Sequence, residues 1–305
     1  MNTVRAFSPG HITGFFQICD EPEDPLKKGS RGAGVSVSKG VTTEVEIEPA
    51  KSSMIRIEIN GDPSYHAPVS KSVIAWFLEL RPEQSYQIKV NHKVELPIGA
   101  GFGMSGAGAL SLALALNKAE QYNLSRLEVA QVAHIMEVQH RTGLGTVIAE
   151  LIGGIEIRSA AGGPGVGQIE TLPISEEYLV VCLPLGSIPT PKYLSDPNAR
   201  KRINERGGLL TDALRANPTV GNFMDYSRHF AEYIGLISER VQSVLKEADE
   251  AGFTCSTAIF GENIFSIVLP DQVQQLADIL KPHCDPEHEV LVMEIDCTGA
   301  KVLDA

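Results

Sequence analysis

Leu96-Pro-Ile-Gly-Ala-Gly-Phe-Gly-Met-Ser-Gly-Ala-Gly-Ala109 runs without a break into Leu110–Leu116, an apolar and strongly helix-forming stretch. A loop of glycine, alanine and serine that feeds directly into a helix gathers unpaired backbone N–H groups and the positive end of the helix dipole at one spot. That arrangement suits a phosphate chain, and the glycines let the main chain touch the ligand. Close packing of a helix on a sheet is the competing explanation. So many small residues in succession exceed what packing requires.

Outward from the loop, the flanking pattern decides between anion-binding types. A P-loop needs a Gly-Lys-Ser/Thr ending, and no lysine follows these glycines. Gly101–Gly106 (GFGMSG) matches G-x-G-x-x-G, but a dinucleotide fold wants a buried apolar strand before it and an acidic strand end about twenty residues later. Here the preceding strand is amphipathic, and the later position falls in the helical stretch around Gln121–Arg126.

Upstream, Thr42–Glu48, Met54–Ile59 and Ser85–Val90 alternate as strands, with a helical stripe of Val73, Ile74, Phe77 and Leu80 inside Val69–Leu80. Downstream, Ser125 followed by Glu128 reads as a capping box opening a helix through Gln139. A second helix follows Gly145, Gly153–Arg158 reads as a strand, and Ala161–Gly167 as a turn. Beyond it come a strand at Tyr178–Leu183, helices around Ala199–Ala216 and Phe223–Ala251, a β-like Ala258–Leu269, a helix at Gln272–Leu280 and a strand at Glu289–Ile295. The expected class is α+β; one large domain or two medium ones would fit the length, and the turn at Ala161–Gly167 ends the first structural half.

The chain has 305 residues and a formal charge of −12. Nucleic acid or an anionic membrane would be repelled over most of such a surface; a local basic pocket for a small anion is not excluded. Five scattered cysteines without a C-x-x-C pair read as reduced, mostly buried thiols. No apolar run approaches the ~20 residues of a membrane helix, and Met1–Gly10 lacks signal-peptide features. A soluble cytoplasmic protein is the expectation.

Pro97-Ile-Gly-Ala-Gly-Phe-Gly-Met-Ser-Gly-Ala107 resembles the phosphate-binding motif of GHMP kinases, in which Pro, three residues and Gly-Leu-Gly-Ser-Ser-Ala precede a long helix. The resemblance implies ATP contacts at Pro97, Gly99, Gly101, Gly103, Met104, Ser105, Gly106 and Ala107, with the Ser105 hydroxyl helping to hold Mg²⁺. Met104 and Gly106 depart from the commonest wording; Ser105 keeps the hydroxyl. Phe7–Phe16 (FSPGHITGFF) resembles the superfamily's first motif, and Cys255–Gly261 (CSTAIFG) is a degenerate version of its third. The fold implied is a ribosomal-protein-S5-domain-2-like N-terminal half with a ferredoxin-like C-terminal half.

Within the superfamily, Phe7–Phe16, Gly29–Gly40 (GSRGAGVSVSKG) and His134–Arg158 are most similar to archaeal pantoate kinases. That resemblance implies ATP-dependent phosphorylation of pantoate to 4-phosphopantoate in coenzyme A biosynthesis. Other GHMP substrates (homoserine, mevalonate, a sugar) and an inactive nucleotide-binding regulator are the alternatives. A carboxylate substrate needs a fixed cation that can grip it through two parallel bonds; Arg158 is the first choice, with His134, Ser30, Arg31, Ser36 and Ser38 as further contacts. Glu137, one helical turn beyond His134, would join Ser105 as the metal's protein side. The resemblance admits a homodimer without fixing the oligomeric state.

One position departs from the pattern. After the Gly143-Leu144-Gly145 turn the family resemblance leads one to expect an aspartate base, and this chain has Thr146. Either another carboxylate substitutes, Glu150 being nearest, or a loose transition state proceeds without a dedicated base. Ser105, Glu137, Thr146 and Arg158 are therefore the candidate catalytic positions.

Overall fold

Two strands of unusual length organise the molecule. In the computed structural model, which describes residues 2–64, 66–174, 177–187, 196–235, 237–259, 261–286 and 288–304, β1 (Asn2–Cys19) pairs antiparallel with β2 (Gly29–Pro49). The pairing shifts register at Pro9/Gly10 and Thr13/Phe15. Such bulges bend a strand and re-aim its side chains. The sequence reading found only the C-terminal half of β2, because the Gly, Pro and Ser content of Phe7–Phe16 and Gly29–Gly40 hides the alternation.

β2 is long enough to carry two neighbours on one edge. Its C-terminal half pairs with β5 (Tyr86–Val94) and its N-terminal half with β6 (Ile155–Ala160). β5 continues in parallel to β3 (Met54–Ile59) through α1 (Pro68–Glu79), and β3 meets the short β4 (Asp62–Pro63). β7 (Gln168–Thr171) pairs with β6, and β12 (Lys301–Val302) brings the C-terminal end back beside β1. Among the described residues this makes an eight-stranded sheet.

α2 (Met104–Ala119), α3 (Arg126–His140) and α4 (Thr146–Ile152) follow the loop. α2 is apolar almost all round, which demands burial. Its Leu110, Leu112, Ala113 and Leu116 share a core with Val45 and Ile47 of β2, Val73, Ile74 and Phe77 of α1, and Val129 of α3. The predicted capping box opens α3: Ser125 N donates to Glu128 at 2.8 Å, and Glu128 N donates to Ser125 Oγ at 3.2 Å.

The second sheet, in the order β11-β8-β10-β9, comprises β8 (Leu179–Ser187), β9 (Ser256–Thr257), β10 (Gly261–Val268) and β11 (Leu291–Glu294). The stretch read as helical from Phe223 to Ala251 divides into α6 (Val220–Ile234) and α7 (Glu239–Glu250), preceded by α5 (Pro197–Ala216). Gly235 ends α6 in the left-handed region at φ +73° and Ser238 caps α7. α7 and α8 (Val273–Leu280) pack Val241, Val244, Leu276 and Leu280 on Val181 and Leu183 of β8. α5 and α6 join the two sheets: Phe223 and Phe230 contact Phe15 of β1, and Phe223 contacts Phe265 of β10. The cysteines are less buried than expected: Cys182 and Cys255 are buried, Cys19 and Cys284 are half-buried and Cys297 is exposed.

Candidate active site

The glycine loop is held open from three directions. Gly101 (φ +85°) and Gly103 (φ +70°) occupy the left-handed region that a side chain disfavours. Gly103 is the N-cap of α2 and supplies no side chain to the first-turn amides. His11 N donates to Phe102 O at 2.9 Å, tying the loop to β1. Asn263 Nδ2 donates to Ala100 O, and a Cβ at Gly261 would collide with the same carbonyl, so the start of β10 abuts the loop. The degenerate third segment thus packs against the loop. Ile259 lines the cleft, Ser256 and Thr257 are buried in β9, and Phe260 lies outside the described residues.

The loop opens on a cleft of about 300 Å³. Gly99, Gly101, Gly103, Met104, Ser105 and Gly106 line it; Pro97 and Ala107 are not part of its lining. The next wall is the end of α3 and the turn after it, from Arg141 to Thr146, with Arg141 itself at φ +57°. Ser105 Oγ donates to Glu137 Oε1 at 2.5 Å and Thr142 Oγ1 donates to the same oxygen at 2.7 Å. Burial pushes the Glu137 carboxyl above the ordinary carboxylate value, and these two hydroxyls partly oppose the shift.

Glu150, one turn along from Thr146, lies beneath the loop rather than in the cleft wall. It is fully buried, and neither carboxyl oxygen has a hydrogen-bond partner. A Cβ on Gly103 would come within 2.7 Å of Glu150 Oε1, and one on Gly106 within 2.9 Å of Oε2. The two glycines therefore accommodate both the loop's conformation and this carboxyl. Burial, then the charges of Glu137 and Glu156, hold Glu150 well above its ordinary range.

A third wall rises from the sheet. Gly34 sits between β1 and β6, and its missing side chain leaves room for the His11 imidazole to cross to Glu156. His11 Nε2 lies 3.0 Å from Glu156 Oε1, and Arg158 donates to the same oxygen from two residues along β6. Arg158 is buried yet lines the cleft, and its Nε has no protein partner. Burial lowers its basicity and Glu156 counters. Thr13 and Ser30 complete this wall. Gly145 approaches so closely that a Cβ there would strike Ser30 and press on Arg158.

Of the residues singled out in the sequence, Arg158, Ser30, Ser105, Glu137 and Thr146 line one cavity. His134, Arg31, Ser36 and Ser38 do not line it. The His134 Nε2 lies 3.2 Å from the Pro25 carbonyl and 3.0 Å from that of Lys28, latching the turn between β1 and β2. Arg31 donates to Ser159 O at 3.0 Å and pairs with Asp212. Ser36 pairs through its backbone with Gly154, and Ser38 Oγ accepts from Glu294 N. Sequence reasoning assigned no role to His11, Thr13, Arg141, Thr142 or Glu156. His11 and Thr13 stood inside the quoted Phe7–Phe16 stretch, whereas nothing in the spacing linked Glu156 to them.

Ser105 Oγ and Glu137 offer the hard oxygen donors that Mg²⁺ takes. One or two such protein ligands suffice when phosphate and water complete its sphere. Among the described residues there is no group of three or more His, Cys, Asp or Glu arranged to hold a metal ion by itself.

The GHMP kinases N terminal domain matches residues 70–154. The chain is 36% identical over 282 residues to a pantoate kinase of Thermococcus kodakarensis, with 91% of each chain covered. It is 35% identical to a pantoate kinase of Methanocaldococcus jannaschii, covering 90% of this chain and 96% of that one. A solved structure described as a phosphotransferase related to the CoA biosynthesis pathway superposes with a TM-score of 0.90 at 32% identity, covering 98% of both chains. Homoserine kinase from Cytophaga hutchinsonii is 17% identical with a TM-score of 0.72, over 99% of this chain and 98% of that one, and so shares the fold.

Proposed function

The chain belongs to the pantoate kinases of the GHMP superfamily, and on that premise we propose that its cleft transfers the γ-phosphoryl group of ATP to pantoate, giving ADP and 4-phosphopantoate for coenzyme A biosynthesis. One observation carries the reading: a glycine-built helix N-terminus and a buried arginine share a single cavity. The first suits a phosphate chain and the second a carboxylate, which are the two anionic ends of the reacting pair.

The amides of Gly101–Gly106 hold the phosphates in this proposal. Ser105 Oγ and Glu137 would hold Mg²⁺, which supplies charge neutralisation at the phosphates. Arg158 grips the pantoate carboxylate with the donors that Glu156 leaves unused, and Ser30 adds a hydroxyl beside it. Gly145 keeps the turn close to both, so the substrate is held against the phosphate loop with little freedom. For a loose transition state such alignment and charge neutralisation supply most of the acceleration. Thr146, a neutral hydroxyl on the cleft wall, orients and does not abstract.

The same proposal takes 1–167 and 168–305 as the two domains, supported by a second sheet whose strands all lie beyond residue 168. It extends to a cytoplasmic homodimer; no helix of the described residues is long and apolar enough to cross a membrane. Sedimentation of the purified protein tests the dimer. The activity is tested by ADP release from ATP and Mg²⁺ with a panel of pantoate, homoserine, mevalonate and sugars. Release with pantoate is expected. Release with another alcohol and none with pantoate would discard the substrate. Tight ATP binding with no release at all would favour a nucleotide-binding regulator.

A further inference from the structure

The cleft lacks an aspartate at position 146, and Glu150 is sealed beneath the loop with no place in the cleft lining. The side chains facing the cavity from β1 supply a different candidate. His11 is buried yet borders the cleft, and its backbone N–H is bonded to the phosphate loop at Phe102. On its other side stands Arg158, assigned above to the substrate carboxylate. An acceptor hydroxyl held between a carboxylate grip and a γ-phosphate must therefore lie near His11.

The chemistry of the imidazole follows from its partner. Glu156 Oε1 already accepts from the Arg158 guanidinium, so it is an acceptor toward His11 as well. Nε2 therefore carries the ring hydrogen, and Nδ1 keeps its lone pair. Nδ1 lies 3.4 Å from Thr13 Oγ1, and Thr13 also lines the cavity. A carboxylate that fixes one ring nitrogen while the other faces the reactants is the arrangement a general base requires.

Resting on the pantoate kinase reading, we propose that His11, oriented by Glu156, is the general base for the acceptor hydroxyl. As the alcohol oxygen bonds to the γ-phosphorus, the bridging P–O bond to the β-phosphate breaks and its electron pair leaves with ADP. The hydroxyl proton passes to His11 Nδ1, directly or through Thr13 Oγ1, and then to solvent. Glu156 stabilises the imidazolium formed, and is a positioning residue. The charged groups around His11 are Glu156 and Arg158 on β6, Glu150 on α4 under the loop, and Glu137 and Arg141 elsewhere around the cleft; β2 faces it with Gly34 and Ser36.

The test compares wild type with His11→Asn, His11→Ala and Glu156→Gln, after equal ATP-analogue binding by calorimetry has shown that each is folded. For both His11 variants kcat should fall about a hundredfold, the low end expected of a base in a loose transition state. KM for pantoate and ATP should each stay within about threefold. Added imidazole should partly restore His11→Ala, and Glu156→Gln should lower kcat by less than the His11 variants do. A kcat within about threefold of wild type in His11→Asn, or loss through KM alone, overturns the proposal. On the unaltered protein, ring nitrogen-15 shifts should report the Nε2–H tautomer; the Nδ1–H tautomer overturns it even where a variant fails to fold. If wild type releases ADP with another alcohol instead of pantoate, the substrate reading fails, and the same comparison run on that alcohol still decides the role of His11.

Discussion

The glycine loop and the sheet wall of the cleft are built from different materials. The loop is main chain, contiguous from Gly99 to Gly106, and its shape is set by left-handed glycines. The sheet wall is side chain: His11 and Glu156 lie 145 residues apart in sequence and touch because β2 lies between β1 and β6. A backbone site tolerates few residue types but leaves its surroundings free. A buried charge network tolerates few partners, because removing one member leaves another's charge without its counter-charge in a poorly solvated site.

The largest effect should come where the loop's main chain meets a side chain. Ser105→Ala and Glu137→Ala each remove one half of the 2.5 Å contact at the head of α2. Each is expected to lower kcat by roughly a hundredfold or more, in the range seen when one pre-positioned polar group at a transition state is lost. Steady-state kinetics at saturating pantoate and ATP check this. Near-normal turnover in both would erase the distinction between the loop as a phosphate site and the loop as packing.

The sheet wall should respond differently. Arg158→Ala is expected to raise KM for pantoate about thirtyfold, equivalent to ~2 kcal/mol, while ATP binding stays near wild type. It also strands Glu156 without its cation in a fully buried site, at a cost of about 3–5 kcal/mol of stability. Adding Glu156→Gln in the same chain should recover much of that stability and none of the affinity. Chemical denaturation beside a KM measurement separates the two; an unchanged KM would contradict the carboxylate grip.

The same contrast governs what could be read before folding. Gly101, Gly103 and Gly106 pointed to a glycine-built loop at a helix start because a backbone feature is written in composition, within one short window. Arg158 and Glu137 were legible through the resemblance of the stretch around them, but their partners were not. His134 reads identically as a ligand or as a latch until the Pro25 and Lys28 carbonyls are seen beside it. Glu156 was invisible because a strand residue's neighbour depends on strand order, which local alternation does not encode. Gly34 matters through the imidazole and the Ile12 carbonyl that crowd its space. Likewise, β1 escaped notice because bulges and glycines interrupt its period, and those same bulges re-aim the side chains that line the cleft.

Glu150 lies between the two regimes, a side chain buried under a main-chain site, and its effect should be the smallest. Burial and two neighbouring carboxylates raise its pKa in the folded chain above the ordinary value of 4.5. The native state then binds the proton more tightly than the unfolded chain does. Its contribution is complete below the ordinary value and is lost as pH rises through the folded-state value. Glu150→Gln should therefore flatten the decline of stability that sets in as pH rises above the ordinary carboxylate value, with kcat nearly unchanged because the side chain does not border the cleft. Nucleotide affinity supplies the finer reading. A neutral carboxyl beneath Gly103 and Gly106 leaves the field of the α2 N-terminus to the phosphates, whereas an ionised one competes for it. Wild-type affinity for an ATP analogue should weaken with rising pH more than that of Glu150→Gln, and parallel curves for the two proteins would mean that the carboxyl under the loop does not ionise within the range measured.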